Sequence, residues 1–273
     1  KEVKKLNLKK KTALITGASS GIGYEIAKCL VREGFNLVLT ARNKSKLEAA
    51  AKTLSNKKNV IVDIVVADLH DPSAPQALYD YCQLKGYEIS LLVNNAGYAI
   101  PSSFDKTPME EEERFIRVLA IAVIALTKLF VRDMLVAGKG KIMMISSVAA
   151  FAPPSTIQTL YGPVKTFINR FSEGLNVNYN NRGITSTAVC PGYTVTNFHK
   201  ASGVQEEMDR VPAFMKKTAS SVAEEAVSAT LKGKKVCVPS KTFKLIVLLL
   251  KVVPHSLFPF FSKRLAPGRY DKK

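Results

Sequence analysis

The chain has 273 residues, 47% of them hydrophobic, which is enough apolar material to bury a core within one α/β domain. Its formal net charge is +18, but residues 1–11 hold +5 and residues 232–273 hold +10, leaving only +3 on residues 12–231, and the Lys1–Lys11 arm lacks the interleaved aromatics of a nucleic-acid binder, so no nucleic-acid partner is expected. The four cysteines (Cys29, Cys82, Cys190, Cys237) have no CxxC spacing and the three histidines (His70, His199, His255) stand far apart, which argues for buried thiols and against a disulfide framework or a metal site.

The basic arm, residues 1–11, contains no signal-peptide apolar stretch, so a cytoplasmic body is expected to follow it. Thr12–Thr16 is strand-like, and Ile22–Glu33 follows at helical spacing after a glycine-rich turn. The alternation continues with strand Asn36–Ala41, helix Lys44–Leu54, strand Val60–Ala67, helix Pro75–Leu84 and strand Ile89–Val93. Pro108–Val136 reads as one long helix, with Thr107 as N-cap, Pro108 at the first helical position, Glu110 closing a capping box, and Glu111–Glu113 near the positive end of the dipole. Then come strand Lys141–Ile145, helix Gln158–Tyr179, strand Ile184–Val189, helix Val222–Leu231 and a short strand Val236–Val238.

Fully apolar strands alternating with helices predict a doubly wound parallel sheet of about seven strands, covered by helices on both faces, in a single Rossmann-like domain over 12–240. Ligands of such sheets bind beyond the carboxyl ends of the strands, where the strand order reverses. The residues that follow each strand are therefore the ones to weigh.

After the first strand stands Thr16-Gly17-Ala18-Ser19-Ser20-Gly21-Ile22-Gly23, a Gly-x3-Gly-x-Gly turn opening a helix. Glycine lets backbone approach a diphosphate, and the helix N-terminus offers free N–H groups and partial positive charge. After the second strand comes Arg42, with no Asp or Glu between Val38 and Asn43; a cation there suits the 2′-phosphate of NADP(H), whereas NAD(H) calls for a carboxylate. Ser19 and Ser20 add no second cation. Asp68 follows the third strand, and Asn94-Asn95-Ala96-Gly97 follow the fourth. Beyond the fifth stand Ser146-Ser147, then Tyr161 fourteen residues past Ser147 and Lys165 four further on, one turn away on the same helix face. An ammonium beside a phenol favours the phenolate, so the phenol can exchange a proton with a carbonyl or alcohol oxygen while a serine hydroxyl holds that oxygen.

Taken together, in sequence order at successive strand ends, these residues resemble the short-chain dehydrogenase/reductase family over residues 11 to about 200. The resemblance implies an NADP(H)-dependent oxidoreductase that interconverts a carbonyl and an alcohol by hydride transfer, with Ser147, Tyr161 and Lys165 as its catalytic set. It places the cofactor on Gly17, Ser19, Ser20, Gly21, Ile22 and Gly23, on Arg42, and on Asp68 and Leu69, with Asp68 at the adenine. It adds Asn95, Ala96 and Gly97 near the adjoining ribose, Tyr161 and Lys165 as cofactor contacts, with Lys165 on the nicotinamide ribose hydroxyls, and Pro191, Gly192, Thr194 and Thr196 around the carboxamide and diphosphate. The family's usual Asn in the long central helix has no counterpart: that position falls at Leu119, and Leu119–Ala122 contains no Asn. The stretch Ser146–Pro154, with Phe151–Leu160 before Tyr161, resembles ketoacyl-reductase-like members and implies an apolar or acyl carbonyl substrate. Residues 197–218, with Phe198, Met208, Phe214 and Met215, are expected to form the substrate lid. The helices 108–137 and 158–181 correspond to the family's usual pairing surface, so a homodimer or homotetramer is expected.

The C-terminal extension, 241–273, contains the run Phe243–Val253, apolar but for Lys244 and Lys251, then Pro254 and three phenylalanines up to Phe261. It is too short to span a bilayer. Residues 243–261 fit either a peripheral contact with an anionic membrane or packing against the core or a second subunit. The rival to an enzyme is a catalytically idle NADP-binding or membrane-associated scaffold. The absent Asn favours it, and the complete Ser-Tyr-Lys set opposes it.

Overall fold

The computed structural model describes residues 11–56, 60–152, 159–196, 209 and 211–252. Seven strands form one parallel sheet: β1 (Thr12–Thr16), β2 (Asn36–Ala41), β3 (Val62–Val66), β4 (Ile89–Asn94), β5 (Gly140–Ile145), β6 (Ile184–Val189) and β9 (Val236–Cys237). Their order is β3-β2-β1-β4-β5-β6-β9. The chain first builds outward from β1 to β3 and then restarts on the other side of β1 with β4, so the order reverses between β1 and β4.

Alternation along each strand explains why both faces are covered. Leu14, Val38, Leu92, Ile142 and Met144 point into one core, closed by α3 (Ala74–Leu84), α4 (Met109–Ile116), α5 (Ala122–Ala137) and α6 (Tyr161–Tyr179). Their neighbours Ala13, Ile15, Leu37, Leu39, Val93 and Met143 point into the other, closed by α1 (Gly21–Arg32), α2 (Lys44–Ser55) and α7 (Ala219–Leu231). Strands buried on both faces admit few polar residues, which is why the middles of β1, β2, β4 and β5 read as apolar runs; β6 instead buries Ser186 and Thr187, whose hydroxyls are bonded to Ser172 and to the Lys234 carbonyl. The four cysteines are buried and none forms a disulfide.

Three details depart from the sequence reading. The helix expected over 108–136 is two helices joined by a π-turn at Arg117–Ile121, a wider turn that the apolar periodicity does not betray because Val118, Leu119 and Ala120 stay buried through it. The capping box does not form. Pro108 itself is the N-cap of α4, and the Thr107 hydroxyl instead donates to the Ser103 carbonyl at 3.0 Å. Pro108 has ψ 143°, extended rather than helical, so the helix begins at Met109 and Thr107 sits one step too early to cap. Finally, Thr194–Val195 (β7) and Lys217–Thr218 (β8) make a small separate parallel pair that two-residue strands leave no pattern to reveal.

Helix α6 starts at Tyr161, and α8 (Lys241–Val252) follows the last strand of the sheet. Of the expected lid, 209 and 211–218 are described: Val211 and Met215 pack with Phe243 and Val247 of α8 in a third small cluster, whereas Phe214 is exposed. Phe198, Met208 and Gln158 lie outside the described residues. Among the described residues, no helix is long and apolar enough to cross a membrane.

Candidate active site

A cleft of about 980 Å³ opens over the carboxyl ends of β1, β4 and β5, at the reversal of strand order. It brings Gly17, Ser20, Gly21 and Ile22 together with Arg42, Asn95–Gly97, Ser147, Tyr161, Lys165, Pro191, Gly192, Thr194 and Thr196. Residues separated by up to 179 positions in the chain thus share one wall-to-wall site.

The glycine turn is braced from behind. The Thr16 hydroxyl accepts from the backbone N–H groups of Asn95 and Ala96, both at 3.0 Å, and the Asn95 side-chain amide donates to the carbonyls of Thr16 (2.8 Å) and Gly17 (3.1 Å). Asn95, expected near the ribose, therefore spends its amide on holding the glycine turn, although it also borders the cleft. Gly17 has φ +65°, and a Cβ on it would lie 2.9 Å from the Asn95 amide nitrogen. Gly23 sits behind the cleft, where a Cβ would press on the same amide and lie 2.5 Å from the Gly17 carbonyl oxygen. A Gly23→Ala variant is expected to lose about 1–3 kcal/mol of stability to overpacking. Dinucleotide affinity falls at least about tenfold as the turn shifts, since a loss of 1.4 kcal/mol in binding is tenfold. Urea unfolding followed by circular dichroism, with calorimetric titration of NADPH, checks both.

Helix α1 presents its N-terminus to this turn. Its N-cap Ser20 makes no side-chain cap bond and its first turn holds no acidic residue, while Gly21 and Ile22 border the cleft. The uncapped N–H groups and the helix dipole leave this end fitted to an anion. Thr196 closes over it, since a Cβ on Gly21 would lie 3.5 Å from the Thr196 Cβ. A dinucleotide diphosphate fits this cradle of glycines, free N–H groups and covering threonine.

At the outer end of the cleft Arg42 is joined by Lys46, a cation that sequence reasoning missed. Lys46 lies in the first turn of α2, which Asn43 caps by accepting from the Lys46 N–H at 2.9 Å. Asp68 stands nearby with its carboxylate accepting from the His70 backbone at 3.1 Å and bonded to the His70 ring at 2.8 Å. Burial works to raise the Asp68 carboxyl, but these bonds and the charges of His70 and Arg42 outweigh it and hold it below its ordinary value. The other ring nitrogen of His70 lies 3.2 Å from the Tyr98 hydroxyl, so His70 and Tyr98 form one wall of this end. Leu69 is buried in the core behind that wall, and Ser19 is half-buried in the turn.

At the inner end, Ser147 follows β5 and its hydroxyl accepts from the Ala149 N–H at 3.1 Å. Ser146, the other serine, donates to the Lys165 carbonyl at 3.0 Å and so ties α6 to the sheet. Tyr161 begins α6 beside Phe115, with ring centroids 6.5 Å apart. Lys165 is buried one turn on, its ammonium 5.5 Å from the centre of the Tyr161 ring and donating to the Ile145 carbonyl at 2.9 Å. Burial pushes the Lys165 amine down to about 8 from 10.5, and the nearby Cys190 thiol opposes this only weakly. Leu119 is buried within the π-turn and packs toward Gly97, where a Cβ would meet its Cγ at 3.7 Å.

Comparison with known proteins agrees with this arrangement. Residues 11–207 match the family model described as short chain dehydrogenase. The chain is 33% identical over 221 residues to a very-long-chain 3-oxoacyl-CoA reductase of Anas platyrhynchos, covering 79% of this chain and 67% of that one. It is 31% identical over 251 residues to a 17-beta-hydroxysteroid dehydrogenase type 3 of Mus musculus, covering 90% and 77%. Among solved structures, a short-chain dehydrogenase from Sphingobium yanoikuyae in complex with NADPH superposes with a TM-score of 0.79 at 30% identity, covering 90% of this chain and 97% of that one. With its seven-stranded parallel sheet, its cradle at the β1–β4 switch point and these relatives, the chain belongs to the short-chain dehydrogenase/reductase family of oxidoreductases, as a ketoacyl-reductase-like member.

Proposed function

We propose that this protein reduces an apolar ketone or acyl carbonyl to the alcohol with NADPH, Tyr161 serving as the acid that protonates the carbonyl oxygen. The observation that carries this reading is the convergence of Ser147, Tyr161 and Lys165 on the cleft that also holds the glycine turn. When bound, the reduced nicotinamide supplies the hydride. Gly17, Gly21, Ile22 and Thr196 hold the diphosphate, Asp68 borders the adenine, and Pro191, Gly192 and Thr194 border the carboxamide. Ser147 and Tyr161 donate to the substrate oxygen, and the Lys165 charge favours proton loss from the phenol. The printed names of the relatives, a 3-oxoacyl-CoA reductase and a hydroxysteroid dehydrogenase, support an apolar carbonyl substrate. The test is NADPH oxidation with a panel of apolar ketones and 3-oxoacyl thioesters. Turnover of at least one supports the reading, and NADPH binding without turnover of any favours the scaffold.

NADPH is preferred over NADH because Arg42 and Lys46 both border the adenosine end of the cleft. The NADPH complex of the Sphingobium yanoikuyae relative supports the same choice. Arg42→Asp is expected to lower kcat/KM with NADPH about a hundredfold and leave or improve that with NADH, since a lost charge-assisted contact costs about 1.5–3 kcal/mol and the new carboxylate repels phosphate. Steady-state kinetics with the two cofactors measures the ratio, and equal use of both by the parent protein would remove the basis for the 2′-phosphate assignment. Pairing of α4–α5 and α6 with a second copy, giving a dimer or tetramer, belongs to the same reading and is checked by light scattering.

A further inference from the structure

Helix α8 is apolar on both sides. Its inner side is settled: Phe243 and Val247 are buried with Val211, Met215 and Val238, and Phe243 occupies the space beside Gly192 that a side chain there would need. Its outer side carries Leu245, Leu248, Leu249 and Val252, which are 59%, 58%, 53% and 74% exposed. Positions 245, 248, 249 and 252 fall on one stripe about 100° wide, the width of a core-facing stripe on an ordinary amphipathic helix. Here that stripe faces outward.

The charges around the stripe say what can cover it. Lys241 falls on the same helical face, one turn before Leu245, and Lys244 flanks it, bonded to Glu225 at 3.2 Å. The helix holds no acidic residue, and lysines in a first turn oppose the helix dipole, so helix stability does not account for them. Residues 232–273 carry eleven Lys or Arg against the single Asp271. A second copy meeting this face about a twofold axis would set one basic end against another. Residues 253–273 are themselves net basic, five Lys or Arg against Asp271, and so bring no net negative charge to compensate. An anionic lipid surface meets both requirements, with acyl chains for the leucines and headgroup charge for the lysines. Twelve helical residues span about 18 Å, too short to cross a bilayer but suited to lying flat within one leaflet's interface.

We propose that α8 is a lipid-docking helix that lays Leu245, Leu248, Leu249 and Val252 into the surface of an anionic membrane, with Lys241 and Lys244 at the headgroups. The inference does not depend on the redox reading, because none of these residues borders the cleft. The experiment is co-sedimentation of the full chain with phosphatidylcholine vesicles made with and without phosphatidylglycerol. The parent is expected to sediment with the anionic vesicles, to stay in solution with phosphatidylcholine alone, and to be released by salt. The triple variant Leu245→Gln/Leu248→Gln/Leu249→Gln should partition roughly a hundredfold more weakly, as expected when three half-exposed leucines no longer enter the lipid. Glutamine preserves helix propensity, and an unchanged circular dichroism spectrum and NADPH affinity would show the fold intact. Lys241→Glu, which alters no apolar group, should weaken partition about tenfold, and it keeps the test decisive if the triple variant unfolds. The proposal is overturned if the parent ignores anionic vesicles, or if both variants bind like the parent. It is equally overturned if the triple variant changes the oligomeric state in lipid-free solution, which would assign the stripe to a second copy.

Discussion

Replacing Tyr161 by Phe is expected to lower kcat for ketone reduction about a thousandfold while changing the NADPH Kd by no more than about tenfold, because a positioned general acid contributes roughly 10²–10⁴ whereas one hydrogen bond to the cofactor contributes about 0.5–1.5 kcal/mol. The substitution removes one oxygen and keeps the ring, so the packing beside Phe115 survives. What is lost is the donor at the point where negative charge grows on the substrate oxygen. Ser147 remains as the second donor to that oxygen, and it accounts for residual activity above the uncatalysed rate. A Ser147→Ala/Tyr161→Phe pair should then fall short of the product of the single losses, since groups acting on one atom are not additive. Stopped-flow oxidation of NADPH separates the chemical step from cofactor binding. An unchanged rate in Tyr161→Phe would mean that the proton comes from elsewhere and that the function proposed here is wrong.

Much of this site is legible in the chain because local rules and the global fold agree. Strands such as Ala13–Ile15 and Leu37–Leu39 are buried on both faces, and burial on both faces leaves an unbroken apolar signature. The Gly17–Gly23 turn and the Tyr161/Lys165 spacing are set by backbone geometry within a single turn or helix, so their spacing survives as a pattern. The parts that escape are those settled by contacts between distant segments. Lys46 looks like any solvated lysine at the start of an amphipathic helix; only its place beside Arg42 on the cleft wall marks it. Asn95 looks like a ligand group, yet its amide bonds back to Thr16 and Gly17, a contact that spans nearly eighty residues. The π-turn at Arg117–Ile121 is invisible because adding a residue to one turn of a helix buried on most sides keeps apolar residues against the core. The outer stripe of α8 escaped in a different way: the run Phe243–Val253 is apolar nearly throughout, so its pattern could not tell the packed face from the exposed one.

Lys165→Met is expected to stabilise the fold by about 2 kcal/mol at pH 7 and to cost at least about a hundredfold in kcat. The reason for the first is the environment of the amine. Burial lowers it from 10.5 to about 8, which means that keeping it charged at neutral pH costs the folded state about 3 kcal/mol relative to the unfolded one. Methionine fills a similar volume without the charge, and the lost donation to the Ile145 carbonyl returns about 1 kcal/mol of that gain. The sign follows from proton counting. Between pH 8 and 10.5 the unfolded lysine holds a proton that the folded one has released, so the stability of the parent rises with pH across that window. The Met variant lacks this rise; at about 1.4 kcal/mol per pH unit the parent regains the 2 kcal/mol by about pH 9.5, so the Met advantage should shrink from pH 8 upward, close near that pH and be slightly reversed by 10.5. Urea unfolding of both proteins at a series of pH values measures the difference directly, and a Met variant less stable than the parent at pH 7 would contradict it. The second effect has the same origin. A poorly solvated ammonium 5.5 Å from the centre of the Tyr161 ring acts on the phenol through little intervening water, so the desolvation that weakens the fold is what strengthens the charge's hold on the acid. kcat/KM should accordingly decline as pH rises through about 8, where the free enzyme loses that charge.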